Sequence, residues 1–182
     1  MNKRVLALLL AVTMSTYFSG ASAAVAAPAA SPVADPSGTF AGLIALPGGR
    51  HIYAECAGTG APTVLLVSGY RTRADVWTDP QLGPANGHPM VFPSVDSPSR
   101  VCTYDRPGTL TVLDDVRFPS RSDDVAMPRS ITEVVAELRA VRELVAGDQP
   151  VVLVGHSLGG AIVRLYAATY PEDVAGIVLV DA

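Results

Sequence analysis

Short apolar runs separated by glycine and proline set the pattern of the chain. They predict six strands, at residues 39–46, 50–56, 63–67, 100–104, 150–154 and 176–180. The first two runs flank Pro47-Gly48-Gly49, which predicts a hairpin. The run at 63–67 (TVLLV) is apolar throughout, as is typical of a strand that is covered on both faces of a parallel sheet.

Two helices are predicted between the later strands. Residues 130–145 carry apolar side chains at spacings of three and four, and Ser130 with Glu133 forms a capping-box pattern at their start. Residues 158–170 are also helical in pattern and stop before a proline. Residues 79–99 are rich in proline and glycine, so we expect a loop there with at most a short helix.

Strands that alternate with helices after an initial hairpin predict an α/β fold, with a mostly parallel sheet and covering helices. The 182 residues are enough for one domain with a hydrophobic core. A hydrophobic fraction of 49% and a charged fraction of 16% argue against disorder over most of the length.

The N-terminus has the pattern of a secretory signal peptide. Lys3 and Arg4 precede an apolar run at 5–12, and Ala21-Ser22-Ala23 offers small residues for signal peptidase. The predicted signal peptide is therefore 1–23, with further small-residue cleavage sites up to about residue 30, and the protein is expected to be secreted. A retained membrane anchor is the alternative, but the apolar run is shorter than the ~20 residues needed to span a bilayer.

The Ala-, Pro- and Ser-rich residues 24–37 predict a flexible lead-in to a domain at 38–182. Without Lys3 and Arg4 the charges are 11 positive and 17 negative, a net charge of −6. Such an acidic balance argues against nucleic acid as a partner, because phosphate binding needs clustered Lys and Arg. The sequence contains no metal-ligand cluster, phosphate loop or Rossmann fingerprint, so no metal and no cofactor is expected.

The chemical signal is the run Gly155-His156-Ser157-Leu158-Gly159, which matches G-x-S-x-G between a predicted strand and a predicted helix. A turn this tight is expected to hold Ser157 in a strained backbone conformation and to expose its hydroxyl. Gly155 and Gly159 are expected to avoid clashes across the turn. The N–H of Leu158, at the helix N-terminus, could then stabilise an oxyanion. The alternative is a glycine-rich turn that carries a passive serine.

In its order of segments the chain resembles the α/β-hydrolase superfamily. Residues 151–160 (VVLVGHSLGG) are similar to its nucleophile elbow, and 63–69 (TVLLVSG) to the strand and turn of its oxyanion hole. Residues 104–108 (YDRPG) and 170–182 (YPEDVAGIVLVDA) resemble two further strand ends. The family sheet usually has eight strands and six are predicted here, so the resemblance implies an N-terminal portion, truncated after about the sixth strand.

The resemblance implies a role for three residues. Ser157 matches the nucleophile, and the backbone N–H groups of Leu158 and Tyr70 match the oxyanion-hole donors. The family usually has His-Gly where this chain has Ser68-Gly69. The chain also departs from the family at 109–111, where another glycine or serine turn is usual.

The resemblance also bears on the two cysteines, Cys56 and Cys102. In this fold the second and fourth strands are antiparallel neighbours, and the two cysteines would lie where those strands meet. A disulfide is therefore expected in an exported protein, with two buried free thiols as the alternative.

A serine nucleophile needs a base, which an acid orients, and in this superfamily the order along the chain is Ser, acid, His. No His follows Ser157. Asp181, at the end of the last strand, is the candidate acid, whereas Glu172 and Asp173 are expected at the surface of a helix exit.

The three His residues precede Ser157, and none is expected to be its base. His156 is expected to pack or to make a local hydrogen bond. His51 is expected on the hairpin, away from the carboxyl edge of the sheet. His88 lies in the irregular loop near the presumed site.

These patterns favour a secreted serine hydrolase that acts on ester-type or amide bonds of a small-molecule substrate through an acyl-enzyme at Ser157. An acyltransferase could use the same elbow. The alternative from another class is a non-catalytic remnant or binding module of the same fold.

Overall fold

A computed structural model describes residues 38–80, 90–94 and 99–182. All of them belong to the compact unit Ser31–Ala182. The predicted signal peptide, the lead-in at 24–37 and His88 lie outside the described residues. In the part of the chain that is described, no helix is long and apolar enough to cross a membrane.

The described residues form eight strands and three α-helices. The strands are β1 (Phe40–Ala45), β2 (His51–Ala57), β3 (Val64–Val67), β4 (Val101–Tyr104), β5 (Leu110–Leu113), β6 (Val116–Pro119), β7 (Val151–His156) and β8 (Val174–Val180). The helices are α1 (Val91–Ser94), α2 (Ile131–Ala146) and α3 (Leu158–Thr169). Two short 3₁₀ helices lie at Ala74–Trp77 and Pro171–Asp173.

Six strands form the main sheet in the order β1-β2-β4-β3-β7-β8. β1, β2 and β4 pair antiparallel, and β4, β3, β7 and β8 run parallel. All six predicted strands and both longer helices are confirmed, with ends that differ by one or two residues. The carboxyl ends of β3, β4 and β7 therefore meet at one edge, where an α/β sheet places its ligands.

The core lies on both faces of the sheet because successive strand residues point to opposite sides. Leu65 and Leu153 pack on the side of α2 and α3, against residues such as Leu138 and Val163. The opposite face carries a smaller cluster formed by Leu66, Trp77, Val101 and Val154. This two-sided burial explains why these strands are apolar without alternation.

Helix α2 begins and ends as its sequence predicts. The Ser130 hydroxyl accepts a hydrogen bond from the Glu133 N–H, and the Glu133 carboxylate accepts one from the Ser130 N–H. Gly147 follows the last turn at φ 59°, a backbone conformation that glycine adopts without strain.

A second, two-stranded sheet of β5 and β6 was not predicted. Its turn places Asp114 at φ 46° and Asp115 at φ 63°, the two positive φ angles of a two-residue hairpin loop. This hairpin stands where the α/β-hydrolase superfamily usually has a glycine or serine turn, at residues 109–111. Thr111 lies in β5, and its hydroxyl accepts a hydrogen bond of 3.1 Å from the Arg73 N–H.

Cys56 and Cys102 form the expected disulfide. They are directly opposite each other in the antiparallel pair of β2 and β4, with their Cα atoms 4.1 Å apart. Both residues are buried. The disulfide therefore fixes the register of β4, one of the strands whose carboxyl end reaches the candidate site.

Candidate active site

Ser157 lies at the turn between β7 and α3, at the carboxyl edge of the sheet. Its backbone has φ 51° and ψ −121°, in the left-handed half of φ that residues with a Cβ rarely adopt. The residue is exposed. The predicted strain and exposure of Ser157 are both confirmed.

Two glycines make this turn sterically feasible. A Cβ on Gly155 would lie 2.5 Å from the Gly159 carbonyl oxygen. A Cβ on Gly159 would overlap the carbonyl oxygen of Val67, at the end of β3. Because both contacts are with backbone atoms, they cannot be relieved by a rotamer change, and the predicted need for glycine at both positions is confirmed.

The loop after β3 contacts the serine turn. A Cβ on Gly69 would lie 3.2 Å from the Ser157 Cβ, so the two backbones approach closely at this point. In the described part of the chain the Tyr70 N–H has no hydrogen-bond acceptor. The Leu158 N–H begins α3, where the first N–H groups lack intrahelical acceptors. One unpaired backbone donor thus directly follows Ser157, and the other lies in the loop whose Gly69 approaches it.

The end of β4 holds this loop at both of its ends. Arg106 is buried, and its guanidinium donates to the carbonyl oxygens of Ser68 at 2.8 Å and Gly69 at 2.6 Å. The neighbouring Asp105 carboxylate accepts from the Ala74 N–H at 2.8 Å. Because hydrogen bonds to charged groups are stronger than neutral ones, these contacts fix the loop that carries the Tyr70 N–H.

Asp105 is held as a carboxylate by its surroundings. Burial raises the pKa of this carboxyl, but hydrogen bonds from Arg121 and from the Ala74 N–H outweigh the burial and hold the pKa below its usual value. The Arg121 side chain is bidentate, with Nε 2.8 Å from Oδ2 and Nη2 2.8 Å from Oδ1. Asp105 is therefore a structural anion that supports the loop, rather than a proton donor at the site.

Ser68 explains the departure from the usual His-Gly turn. Its hydroxyl accepts a hydrogen bond of 3.1 Å from the Trp77 indole N–H and donates one of 3.0 Å to the Arg73 carbonyl oxygen. The side chain is buried. The Ser68 hydroxyl thus links the start of the loop to its end and to Trp77 through buried hydrogen bonds.

The two described His residues do not reach the Ser157 hydroxyl, which has no hydrogen-bond partner in the described residues. His156 packs edge-to-face against Trp77, with ring centroids 6.2 Å apart, as expected.

The prediction for His51 was wrong in part, because β2 is antiparallel to β4 and its first residue lies at the carboxyl edge. Three strand spacings, about 14 Å, nevertheless separate β2 from β7. The Nδ1 of His51 lies 3.2 Å from the Asp123 carboxylate.

Asp181 follows β8 at the same edge as Ser157. The Ser157 N–H donates to the carbonyl oxygen of Val180, the residue before it, at 3.1 Å. Asp181 is exposed and has φ 45°. Its assignment as the acid stays a prediction.

The expectation that Asp173 lies at the surface was wrong, whereas Glu172 is exposed. Asp173 is buried, accepts from the Tyr166 hydroxyl at 2.9 Å and pairs with Arg142 at 3.3 Å. In the described ranges, no group of three or more His, Cys, Asp or Glu residues is arranged to hold a metal ion.

The sequence profile of the alpha/beta hydrolase fold matches residues 62–182, the part that carries the serine turn and the loop after β3. The chain belongs to the α/β-hydrolase family. The match covers well over half of the chain and begins before β3, so it includes every strand whose carboxyl end reaches the site.

The chain is also similar to curated proteins of two bacteria over part of their length. Residues of the chain are 46% identical to lipase LipV of Mycobacterium tuberculosis over 56 residues, 31% of this chain and 21% of that protein. They are 24% identical to the uncharacterized protein YqjL of Bacillus subtilis over 124 residues, 68% of this chain and 41% of that protein.

Among solved structures, a protein of Acinetobacter baumannii AYE described as a lipase superposes with a TM-score of 0.58 at 23% identity. The match covers 79% of this chain and 42% of that one, which shows a common fold. The chain thus spans less than half the length of each of these proteins.

Arg106 and Asp105 are the site residues that motif reasoning missed. Both stand in the run YDRPG, whose resemblance to a strand end implies no role for either charged side chain. A charged pair directly after a buried strand is the signal that could have drawn attention to them, because a buried charge requires a partner.

Proposed function

We propose that this chain is the N-terminal portion of an exported serine hydrolase, which cleaves an ester-type or amide bond of a small molecule. Ser157 Oγ would attack the carbonyl carbon, and the N–H groups of Leu158 and Tyr70 would bind the oxyanion. The leaving group would depart with the proton of Ser157, and water would hydrolyse the acyl-enzyme.

The observation that carries the proposal is the strained, exposed Ser157, with Leu158 at the start of a helix directly after it and the loop of Tyr70 next to it. A positive φ on a residue with a side chain costs free energy, and such strain is concentrated at functional sites. The lipase among the relatives supports an ester as the substrate class.

The base is the part of the machinery that the described residues lack. Ser157 has no hydrogen bond to an imidazole there, and the chain spans only part of the length of its relatives. We propose that a His from a longer protein completes the site, with Asp181 as the candidate acid in the present chain.

The test is labelling of the 182-residue chain with a fluorophosphonate probe, with and without added imidazole as a substitute base. We expect slow labelling that imidazole accelerates and that disappears in Ser157→Ala. Fast labelling without imidazole would show that the chain already contains its base. A folded chain, checked by circular dichroism, that stays unlabelled even with imidazole would refute the proposal.

The unpaired Ser157 hydroxyl also favours a second candidate, a non-catalytic binding module of the same fold. Such a module would show no imidazole-dependent labelling and would still bind a small molecule at the site. The labelling experiment with and without imidazole therefore separates the two candidates.

Export is proposed from the apolar N-terminal run and is supported by the disulfide, which forms and persists in oxidising compartments. Mass spectrometry of the protein secreted from an expression host should find an N-terminus between residues 24 and about 31. An intact N-terminus on a protein retained in cells would contradict export.

A further inference from the structure

A cavity of about 350 Å³ is lined by both Tyr70 and Leu158, the two residues that carry the proposed oxyanion donors. Ser157 itself does not line the cavity, but Leu158 follows it directly, so one end of an ester that reacts at Ser157 would reach into this space. The residues that line it should select the substrate, because they contact the part of the ester that does not react.

Three arginines line this cavity, Arg71, Arg106 and Arg129. No Asp or Glu is among the described residues that line it. A cavity with cations on its wall and low-dielectric surroundings attracts an anion more strongly than the open surface does.

Arg71 is the arginine that is free to bind a ligand. It directly follows Tyr70 and is exposed, and it has no hydrogen bond or ion pair in the described part of the chain. Its backbone has φ 56°, an uncommon value for a residue with a side chain. Its planar guanidinium can bind a carboxylate through two parallel hydrogen bonds.

The other two arginines raise the positive potential without competing for the ligand. Arg106 is buried and uses its guanidinium on two carbonyl oxygens, and the Glu137 carboxylate is the negative charge that acts on it. Arg129 pairs with Glu137 at 3.0 Å, but Glu137 also pairs with Arg50 at 3.2 Å. The carboxylates of Glu137 and Glu133 thus face Arg50, Arg106 and Arg129, and with Arg71 four cations stand against two carboxylates near the cavity.

The rest of the wall is largely apolar. Leu110, Met127, Val134 and Leu158 contribute hydrocarbon surface. A suitable ligand therefore combines a short hydrocarbon chain with an anionic end.

We propose that the substrate of this site is an ester whose acyl chain ends in a carboxylate, and that Arg71 binds this carboxylate. The inference rests on the proposed function for the position of the ester, but the binding preference itself does not depend on catalysis.

The experiment is an NMR titration of the isotope-labelled Ser157→Ala chain, which cannot turn the ligands over at Ser157. The probes are monomethyl glutarate and methyl pentanoate, which differ by a carboxylate in place of a methyl group. We expect the anionic ester to bind about tenfold more tightly at low salt, since charge-assisted hydrogen bonds contribute at least this factor. Added NaCl should reduce the preference.

Arg71→Met in the same background should abolish the preference. Arg117→Met is the matched control, because Arg117 is exposed on β6 and does not line the cavity, and it should keep the preference. Equal affinity for the two esters, no binding of the anionic ester, or a preference that survives Arg71→Met would overturn the proposal.

Fluorophosphonate labelling of the wild-type chain reports on Ser157 separately. Labelling without an anion preference would leave the proposed function standing and remove this substrate class. An Arg71-dependent preference in a chain that stays unlabelled even with imidazole would leave the anion site standing and remove the serine chemistry.

Discussion

Strands β3 and β8 have nearly the same sequence pattern and very different surroundings. In β3, Leu65 and Val67 are 0% exposed, with a helix layer on one face and the cluster around Trp77 on the other. In β8, Ile177, Val178, Leu179 and Val180 are between 39% and 47% exposed. A uniformly apolar run therefore predicts that both faces of a strand can be buried. It does not predict that the described residues pack on both faces.

Strands β3 and β8 also differ in the contacts that connect them to the rest of the sheet. One of the two neighbours of β3 is β4, which a disulfide joins to β2 and which Arg106 and Asp105, directly after it, join to the loop after β3. β8 pairs only with β7 among the described strands. The loop after β3, which carries the Tyr70 N–H, thus lies in the part of the sheet that the disulfide and the two charged side chains stabilise, whereas β8 has no such contacts among the described residues.

The largest expected effect on stability comes from removing the disulfide between Cys56 and Cys102. Cys56→Ala/Cys102→Ala should lower the free energy of unfolding by about 4 kcal/mol, because the disulfide closes a loop of 46 residues in sequence separation. Urea denaturation of oxidised, reduced and variant chains measures this difference. If reduction left the stability unchanged, the disulfide would not be what distinguishes the two regions.

A matched pair of truncations compares the strands directly. Leu65→Ala should cost about 3 kcal/mol, because it removes a fully buried side chain and leaves a cavity. Leu179→Ala should cost about 1 kcal/mol or less, since nearly half of that side chain is already exposed. Similar losses in urea denaturation would mean that β8 is covered in solution.

The smallest expected effect is on how the free energy of unfolding changes at acid pH. The pKa of Asp105 is lowered in the folded chain, so its contribution to stability is complete above the unfolded pKa of about 4 and is lost as the pH falls through the folded value. Asp105→Asn should flatten the fall in stability below pH ~4.

Arg121→Met should move the acid transition of the parent chain to higher pH, because it removes the bidentate partner of Asp105. Denaturation at a series of pH values measures both variants. A wild-type acid profile in Asp105→Asn would contradict the role of this carboxylate.

The sequence predicted the main sheet well because buried parallel strands and a capped helix leave strong local signals. The run TVLLV and the Ser130–Glu133 cap are examples, and the G-x-S-x-G turn predicted the strain at Ser157 and its glycines. These features depend on residues that are close together along the chain.

The missed features depend on distant residues. The clamp of Arg106 on Ser68 and Gly69 joins positions 37 and 38 residues apart, and no local pattern encodes it. The edge on which His51 lies depends on the antiparallel direction of β2 beside β4. The burial of Asp173 likewise follows from Arg142 and Tyr166 on two helices.

Trp77 is the one tryptophan of the sequence, and its indole N–H is bonded to the hydroxyl of Ser68 at the root of the candidate oxyanion loop. Its ring also lies against His156, next to the serine. Indole emission responds to local polarity and hydrogen bonding, so the protein carries a built-in fluorescent reporter for this loop. Ligand binding and loop loosening can therefore be followed optically in the unmodified chain, without an added dye.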